Sequence, residues 1–463
     1  MSTPHYDLIV IGSGPAGEKG AAQAAYFGKK VALVEKQTFL GGAAANTGTL
    51  PSKTLRESAL YLSGFKQRGL YGIDLSIKDK VTARDFLYRE GIVAESERTR
   101  ISANLDRHNT DIIGGTAAFL DPHRISVTNA AGDEKEFTAD NFLIATGSRP
   151  YRPENMPFDD SRVFDSDTIL KMDTLPKSML VAGGGVIGCE YACMFSTLGI
   201  DVSLVEGREQ LLGFLDSEVS NTLSKRMDAM GIALQMPDRI DSVEAGEHLA
   251  VHLSSGTTIE VDALLAATGR TGNTHSLGLD RIGINAGKRG QLSVNESYQT
   301  EHAHIYAAGD VIGFPALAST SMEQARLAMV HAFDLKYKTG LANILPYGIY
   351  TIPECSMAGE TEESLAAKQT PYVVGRAKYV ANARGQIIGD QDGFLKLIFH
   401  RQSRKLLGVH VIGESASELV HTGLTAMLMD ATTDLFIHTC YNYPTLNEMY
   451  KYATYDALGH MAD

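Results

Sequence analysis

The strongest constraint on the fold is a pattern that occurs twice in the chain. The apolar run Leu8-Ile9-Val10-Ile11 leads into Gly12-Ser13-Gly14-Pro15-Ala16-Gly17. An Ala-rich stretch to Phe27 follows, then Gly28 and a second apolar run, Val31-Ala32-Leu33-Val34, closed by Glu35. From Met179 the plan returns, with apolar Met179–Ala182, then Gly183-Gly184-Gly185-Val186-Ile187-Gly188, and later Val202–Val205 closed by Glu206. Glu35 follows Gly17 by the same number of residues as Glu206 follows Gly188, close to the roughly 20 expected of an acid that accepts hydrogen bonds from a ribose. Strand, G-x-G-x-x-G turn, helix, strand and acid together specify a dinucleotide-binding βαβ unit. Gly12 permits the tight turn, Gly14 lets the backbone approach a pyrophosphate, and Gly17 lets helix and strand pack closely. The helix N-terminus then offers N–H groups and a positive dipole end to phosphates. Gly183, Gly185, Val186 and Gly188 are the corresponding candidates in the second copy. Each copy runs on to a further apolar strand, Asn141–Ala145 and Ala263–Ala267, followed by Thr146-Gly147 and Thr268-Gly269. Agreement in spacing and in this ending identifies an internal duplication, so two dinucleotide sites are expected.

With 463 residues the chain is too long for one core, and about three domains are expected at roughly 150 residues each. A formal charge of −13, from 42 Lys+Arg against 55 Asp+Glu, disfavours nucleic acid and anionic lipid as partners. The first strand is reached by Tyr6, which leaves no room for a secretory segment, and no apolar run is long enough to span a bilayer. A soluble, cytoplasmic protein is expected. Four cysteines, at 189, 193, 355 and 440, suit a reducing compartment. Cys189 and Cys193 lie on one helical face with neither C-x-x-C nor zinc spacing and read as small core residues. No metal site is expected, since histidines 275, 302, 304, 421 and 438 lack ligand spacing.

Between the two copies the pattern predicts a helix from Thr54 through Lys66 and a long amphipathic helix over 82–108. Short strands follow at Asp111–Ile113, Ala117–Leu120, Arg124–Thr128 and Glu136–Thr138, with a turn at Gly132-Asp133. Beyond the second copy, a strand His304–Ala307 ends in Ala308-Gly309-Asp310, with a helix over Ser319–Tyr337. Asp310 at this junction serves as an N-cap or, beside a cofactor, as a ligand for a sugar hydroxyl. From Tyr350 the pattern changes to strands Val373–Val380, Gly393–His400 and Leu406–Ile412, then helices at 415–429 and 446–458. This is an α+β module suited to dimerisation. The tyrosine-rich tail (Tyr441, Tyr443, Tyr450, Tyr452, Tyr455) reads as interface packing.

These segments resemble the flavoprotein disulfide reductase family from end to end. The residues that carry the resemblance are Gly12–Gly17 with Glu35, Gly41–Lys53, Ala145–Gly147, Gly183–Gly188 with Glu190, Ala267–Arg270, Ala308–Asp310, and Tyr443-Pro444-Thr445 with Glu448. The resemblance implies an α/β fold with two Rossmann-like domains, for FAD and NAD(P), and a C-terminal α+β dimerisation domain. Residues 1–150 and 273–345 would form the FAD-binding and central parts, 151–272 the NAD(P)-binding domain, and 346–463 the dimerisation domain. It extends the FAD set to Lys36, Gly42, Lys53, Ala117, Thr146, Gly147 and Asp310, and the nucleotide set to Glu206, Arg208, Gly269 and Arg270. A homodimer is implied, with the C-terminal motif reaching the partner's active site.

The departures from that family's pattern decide the expected chemistry. Ala44 and Thr49 stand where the redox-active dithiol would be, and Tyr443 stands where a His would act as base. A phenol with an ordinary pKa of roughly 10 is a poor proton acceptor near neutrality. What the resemblance leaves is a flavin with a hydride-donor site and no sulfur acceptor. It is similar to the soluble transhydrogenase branch of the family, particularly at Gly269–Asn273, Tyr347–Glu354 and Asn442–Thr445. The expected reaction is a ping-pong exchange, NADPH to FAD to NAD⁺, at one nicotinamide site. Lys53 would stabilise negative charge on the flavin and Glu190 would hold Lys53. Glu206 suits the 2′-hydroxyl of NAD(H); Arg208 either attracts the 2′-phosphate of NADP(H) or is a solvated charge. Two rivals share these features: a diaphorase passing electrons to a quinone or other small acceptor, and a non-catalytic redox sensor.

Overall fold

A computed structural model describes residues 3–64, 70 and 81–461. The first copy of the repeat folds as expected. Strand His5–Ile11 is followed by helix Pro15–Tyr26 and strand Val31–Glu35, and its parallel neighbours are Val31–Glu35 on one side and Glu134–Ile144 on the other. Asp111–Gly114 extends the sheet on the Val31–Glu35 side. The glycine turn thus leaves the sheet where the strand order reverses, the place at which open α/β sheets bind ligands.

Two predicted strands, Glu136–Thr138 and Asn141–Ala145, are one continuous strand, Glu134–Ile144. Ala139 is not a break, because it is buried and pairs with Tyr6. The strand's first half joins an antiparallel meander with Arg124–Thr128 and Thr116–Asp121. Its second half lies in the parallel sheet, where Ile305–Ala307 pairs with it. The predicted helix from Thr54 begins earlier, as Thr49–Ser63; Pro51 lies in the first turn, where a missing N–H leaves no bond unmade. Residues 65 and 66 of that prediction lie outside the described residues. The helix expected to reach Tyr337 spans Ala318–Ala332, and Asp334 beyond it has φ +50°.

The second copy forms a parallel sheet ordered Ala233–Gln235, Asp201–Val205, Ser178–Ala182, Ala263–Ala266, Val163–Asp165. Its meander, Ile240–Ala245, Leu249–Leu253 and Thr258–Val261, was not anticipated, although it matches the meander of the first copy. The C-terminal region is an antiparallel sheet ordered Tyr347–Ile349, Glu354–Gly359, Leu406–Gly413, Phe394–His400, Tyr372–Lys378. Helices Ala416–Leu428 and Glu448–Met461 bury apolar faces against it. The last helix comes so close that a Cβ on Gly375 would sit 1.8 Å from the Ala453 carbonyl oxygen. Cys189, Cys193 and Cys355 are buried in the core, as expected of the first two. Among the described residues, no helix is long and apolar enough to cross a membrane.

A buried charge cluster joins the C-terminal sheet to the second unit. Lys396, on Phe394–His400, is 1% exposed and donates to both oxygens of Asp216 at 2.8 and 2.9 Å. It also pairs with Glu218 and Glu362. Asp216 in turn caps helix Ser217–Ala229 by accepting from the Glu218 N–H. Burial pulls the Lys396 pKa down, but these carboxylates outweigh it and hold it above the ordinary lysine value. A folded-state value raised in this way contributes stability at neutral pH that is lost only as the pH climbs through the lysine range. Lys396→Met strands a buried carboxylate and is expected to lower stability by about 3–5 kcal/mol, read as a fall in thermal midpoint. Adding Asp216→Leu should recover much of it.

Candidate functional site

The two glycine turns are built alike, down to what a side chain would meet. A Cβ on Gly12 (φ +102°) would sit 2.5 Å from the Ala145 carbonyl oxygen, and one on Gly183 (φ +110°) 2.6 Å from that of Ala267. On Gly17 and Gly188 it would lie 1.8 Å from the carbonyl oxygens of Gly12 and Gly183. These four glycines are demanded by the fold itself. The middle ones are not. A Cβ on Gly185 meets nothing within 4 Å, and on Gly14 only Gly42 Cα at 3.9 Å. Both residues have ordinary extended backbone at their helix N-termini. The open space over each, facing free N–H groups, fits a pyrophosphate.

The threonine after each apolar strand supports the same reading. Thr146 Oγ1 and Thr268 Oγ1 are both buried and have no hydrogen-bond partner. Their backbones lie against the Cβ positions of Gly12 and Gly183. Two orphaned hydroxyls at equivalent places beside two open cradles are donors awaiting a ligand. The residues present therefore fit two dinucleotides.

Each copy's acid sits at the end of its second strand and braces the turn. Glu35 accepts from the Ser13 N–H (2.9 Å), Ser13 Oγ (2.6 Å) and the Gln37 N–H (2.8 Å). Glu206 accepts from the Gly184 N–H (2.7 Å) and the Arg208 N–H (2.9 Å). Arg208 occupies the place of Gln37, and its guanidinium forks onto Glu206 at 2.9 and 3.0 Å. Burial tends to raise the Glu206 pKa, but the Arg208 fork and the two amides outweigh it and hold the carboxyl below its usual range. Arg208 is thus paired with Glu206 while most of its side chain stays in solvent.

Lys53 and Glu190 meet although 137 residues separate them. Lys53 rides on helix Thr49–Ser63 and Glu190 on helix Val186–Thr197, and Lys53 Nζ donates to both carboxylate oxygens at 2.8 Å. Glu190 is 3% exposed. Its Oε1 also accepts from the Tyr350 N–H at 2.9 Å, and the Tyr350 ring lies 5.0 Å from Lys53 Nζ. One turn beyond Lys53, buried Arg56 donates to the Thr351 carbonyl (3.1 Å) and pairs with Glu354 (3.3 Å). Sequence reasoning missed Tyr350 and Arg56. Helical spacing from Lys53 was the available signal for Arg56; a backbone amide leaves none.

The two Thr-Gly ends also converge. Strands Ser148–Pro150 and Arg270–Gly272 pair antiparallel. Arg270 Nε donates to Ser148 Oγ (2.7 Å), which donates to Asp310 (2.8 Å). Gly147 has φ +65°, and a Cβ on Gly269 would meet Arg289 at 2.8 Å. A Cβ on Gly42 would lie 2.8 Å from Gly14 Cα, which puts the Gly41–Lys53 segment against the first turn. Val186 opens the second helix, Lys36 is exposed just past Glu35, and Ala117 is buried in the meander, paired with Val127. Tyr443 is 70% exposed and Glu448 begins the last helix. No hydrogen bond or ion pair joins either to Lys53, Glu190 or the glycine turns among the described residues.

Ala44 lies in helix Gly42–Asn46 and Thr49 opens the next helix, so no thiol stands in this segment. The buried thiols elsewhere are inert; burial pushes Cys193 and Cys355 up to about 12.

Residues 6–329 match the model of the pyridine nucleotide-disulphide oxidoreductase family, and residues 345–454 match the dimerisation domain of that name. The chain is 45% identical over 458 residues to a soluble pyridine nucleotide transhydrogenase of Mycobacterium tuberculosis, covering 98% of each. It is 41% identical over 461 residues to one of Yersinia enterocolitica, covering 99% of each. Among solved structures, LpdA of M. tuberculosis superposes with a TM-score of 0.90 at 27% identity, covering 98% of this chain and 99% of that one.

Gly185→Ala separates ligand from fold. With no protein atom near the new methyl group, it should cost less than about 1 kcal/mol, seen as a small change in thermal midpoint. Dinucleotide affinity, measured by calorimetric titration, should fall at least tenfold, whereas Gly188→Ala should destabilise the fold outright.

Proposed function

The chain belongs to the pyridine nucleotide-disulphide oxidoreductase family, and from that premise we propose that it transfers hydride from NADPH to NAD⁺ as a soluble, FAD-dependent transhydrogenase. Its full-length relatives carry the name of that activity. One observation carries the reading. The Lys53–Glu190 pair is complete, with the carboxylate buried, while the segment leading to it, Gly41–Lys53, holds no cysteine. When bound, FAD supplies a ring that takes hydride from one nicotinamide and returns it to another.

The chain's own groups do the rest. Gly12, Gly14, Gly17, Glu35, Lys36, Gly42, Ala117, Thr146, Gly147 and Asp310 hold FAD. Gly183, Gly185, Val186, Gly188, Glu206, Arg208, Gly269 and Arg270 receive the nicotinamide nucleotides in turn. Lys53 sets a fixed positive charge where negative charge develops, and Glu190 with the Tyr350 amide prevents it from turning away. No proton need be moved by the protein, so Tyr443 can stand in place of a basic histidine. The 2′-phosphate of NADP(H) competes with Glu206 for Arg208, whereas NAD(H) offers hydroxyls to Glu206 itself.

Residues 1–150 and 273–345 serve FAD, 151–272 the nicotinamide nucleotides, and 346–463 dimerisation. A cytoplasmic homodimer follows, with exposed Tyr443, and Glu448 behind it, entering the partner's site.

Anaerobic NADPH should bleach the visible flavin absorbance of the holoenzyme, and NAD⁺ added afterwards should restore it rapidly. Recovery only with a quinone, or brisk reduction of a disulfide substrate, would refute the assignment. Glu206→Ala should shift the ratio of NADH to NADPH reactivity roughly tenfold towards NADPH in steady-state assays; an unchanged ratio would remove Glu206 from nucleotide choice.

A further inference from the structure

Three aromatic rings from distant parts of the chain meet a few residues from the second glycine turn and from the Glu190 contact. Phe214 and Tyr347 have ring centroids 5.6 Å apart at 47°, and Tyr347 and Phe314 lie 6.1 Å apart at 20°. Phe314 is 77% exposed and Phe214 39%, so the cluster is partly open to solvent. Grouped aromatic surface on a soluble chain marks a place where something binds.

Chain reach locates the cluster. The Leu212 N–H donates to the Gly184 carbonyl at 3.0 Å, and a Cβ on Gly213 would lie 3.9 Å from Arg208. Phe214 is two residues past Leu212, so its backbone lies at most about 7 Å from the residue bonded to the second glycine turn. Tyr347 is three residues along from Tyr350, whose amide holds Glu190, a span of at most about 11 Å. Phe314 follows four residues after Asp310, at the Ser148–Arg270 junction. Each ring is thus tethered within a few residues of the second glycine turn, of the Glu190 contact or of the Ser148–Asp310 contact.

We propose that Phe214, Tyr347 and Phe314 form a stacking wall that grips the nicotinamide nucleotide by ring contact and treats NAD(H) and NADP(H) alike. This rests on the reading that the second glycine turn binds nicotinamide nucleotides. Polar groups at the 2′ end, Glu206 and Arg208, discriminate between the two substrates. An enzyme that must hold each in turn needs binding that ignores the 2′ group, and aromatic faces supply it because both nucleotides carry the same rings. An oxidised nicotinamide, being cationic, is also attracted to those faces.

The test is calorimetric titration of oxidised holoenzyme with NAD⁺ and, separately, NADP⁺, neither of which turns over. Phe314→Ala and Phe214→Ala should each weaken both nucleotides about five- to tenfold with their ratio unchanged. Phe314→Tyr should bind like the parent, and flavin absorbance and mass by light scattering should not change. Unchanged affinities, or a loss confined to one nucleotide, would overturn the proposal. So would loss of the dimer, which would make the patch a subunit contact, or a raised quinone KM with intact nucleotide binding. If the parent binds both nucleotides but exchanges no hydride between them, transhydrogenation fails while the wall stands.

Discussion

An ammonium group gripped by both oxygens of a buried carboxylate joins the two repeated halves of this molecule. Lys53 comes from the segment that follows the first glycine turn, and Glu190 from the helix that follows the second. Taking the Glu190 carboxylate out of water is costly, and the half-buried Lys53 ammonium beside it offsets that cost. The bond therefore fixes the distance between units as well as a local charge. The Tyr350 amide adds a third region of chain to the same carboxylate, and Arg56, one helical turn away, clamps that region again through Thr351 and Glu354. A charge held by three segments in this way is fixed in place before anything binds beside it.

Duplication explains why the two halves look alike, and their differences explain how they diverge. Both turns need Gly12 and Gly17 or their counterparts for packing, and both leave the middle glycine facing open space. The acids at the strand ends brace both turns through a backbone amide. What changes is the residue two positions beyond the acid, Gln37 in one copy and Arg208 in the other. The arginine adds a guanidinium pair to an acid that in the first copy accepts from two amides and the Ser13 hydroxyl.

Much of the architecture was legible because it is carried by local pattern. Alternating apolar runs, glycine spacing and the Thr-Gly ends placed both parallel sheets, and periodicity placed the helix over 83–107 almost to the residue. What was missed depends on information that local pattern does not hold. The strand Glu134–Ile144 looked divided because, within one sheet, its first half pairs antiparallel and its second half parallel, so its polarity changes midway. The second meander has exposed, polar outer strands with weak alternation. Lys396 read as an ordinary charge on a strand, since the carboxylates that permit its burial lie in remote segments. The Lys53–Glu190 contact was reached through family resemblance, whereas the Tyr350 amide that completes it could not be, because every residue carries one.

The order of strands along the chain also sets an order of events during synthesis. Ile305–Ala307 pairs with Glu134–Ile144, and all strands of the second parallel sheet fall between them in sequence. A ribosome moving from N- to C-terminus must therefore release that whole inserted sheet before the earlier one receives its last member. The first cradle waits, open along one edge, while the second is completed, and the polypeptide that closes it also delivers Asp310 to Ser148. Completion of the first sheet is thus a late event in biogenesis, tied to the maturation of its neighbour.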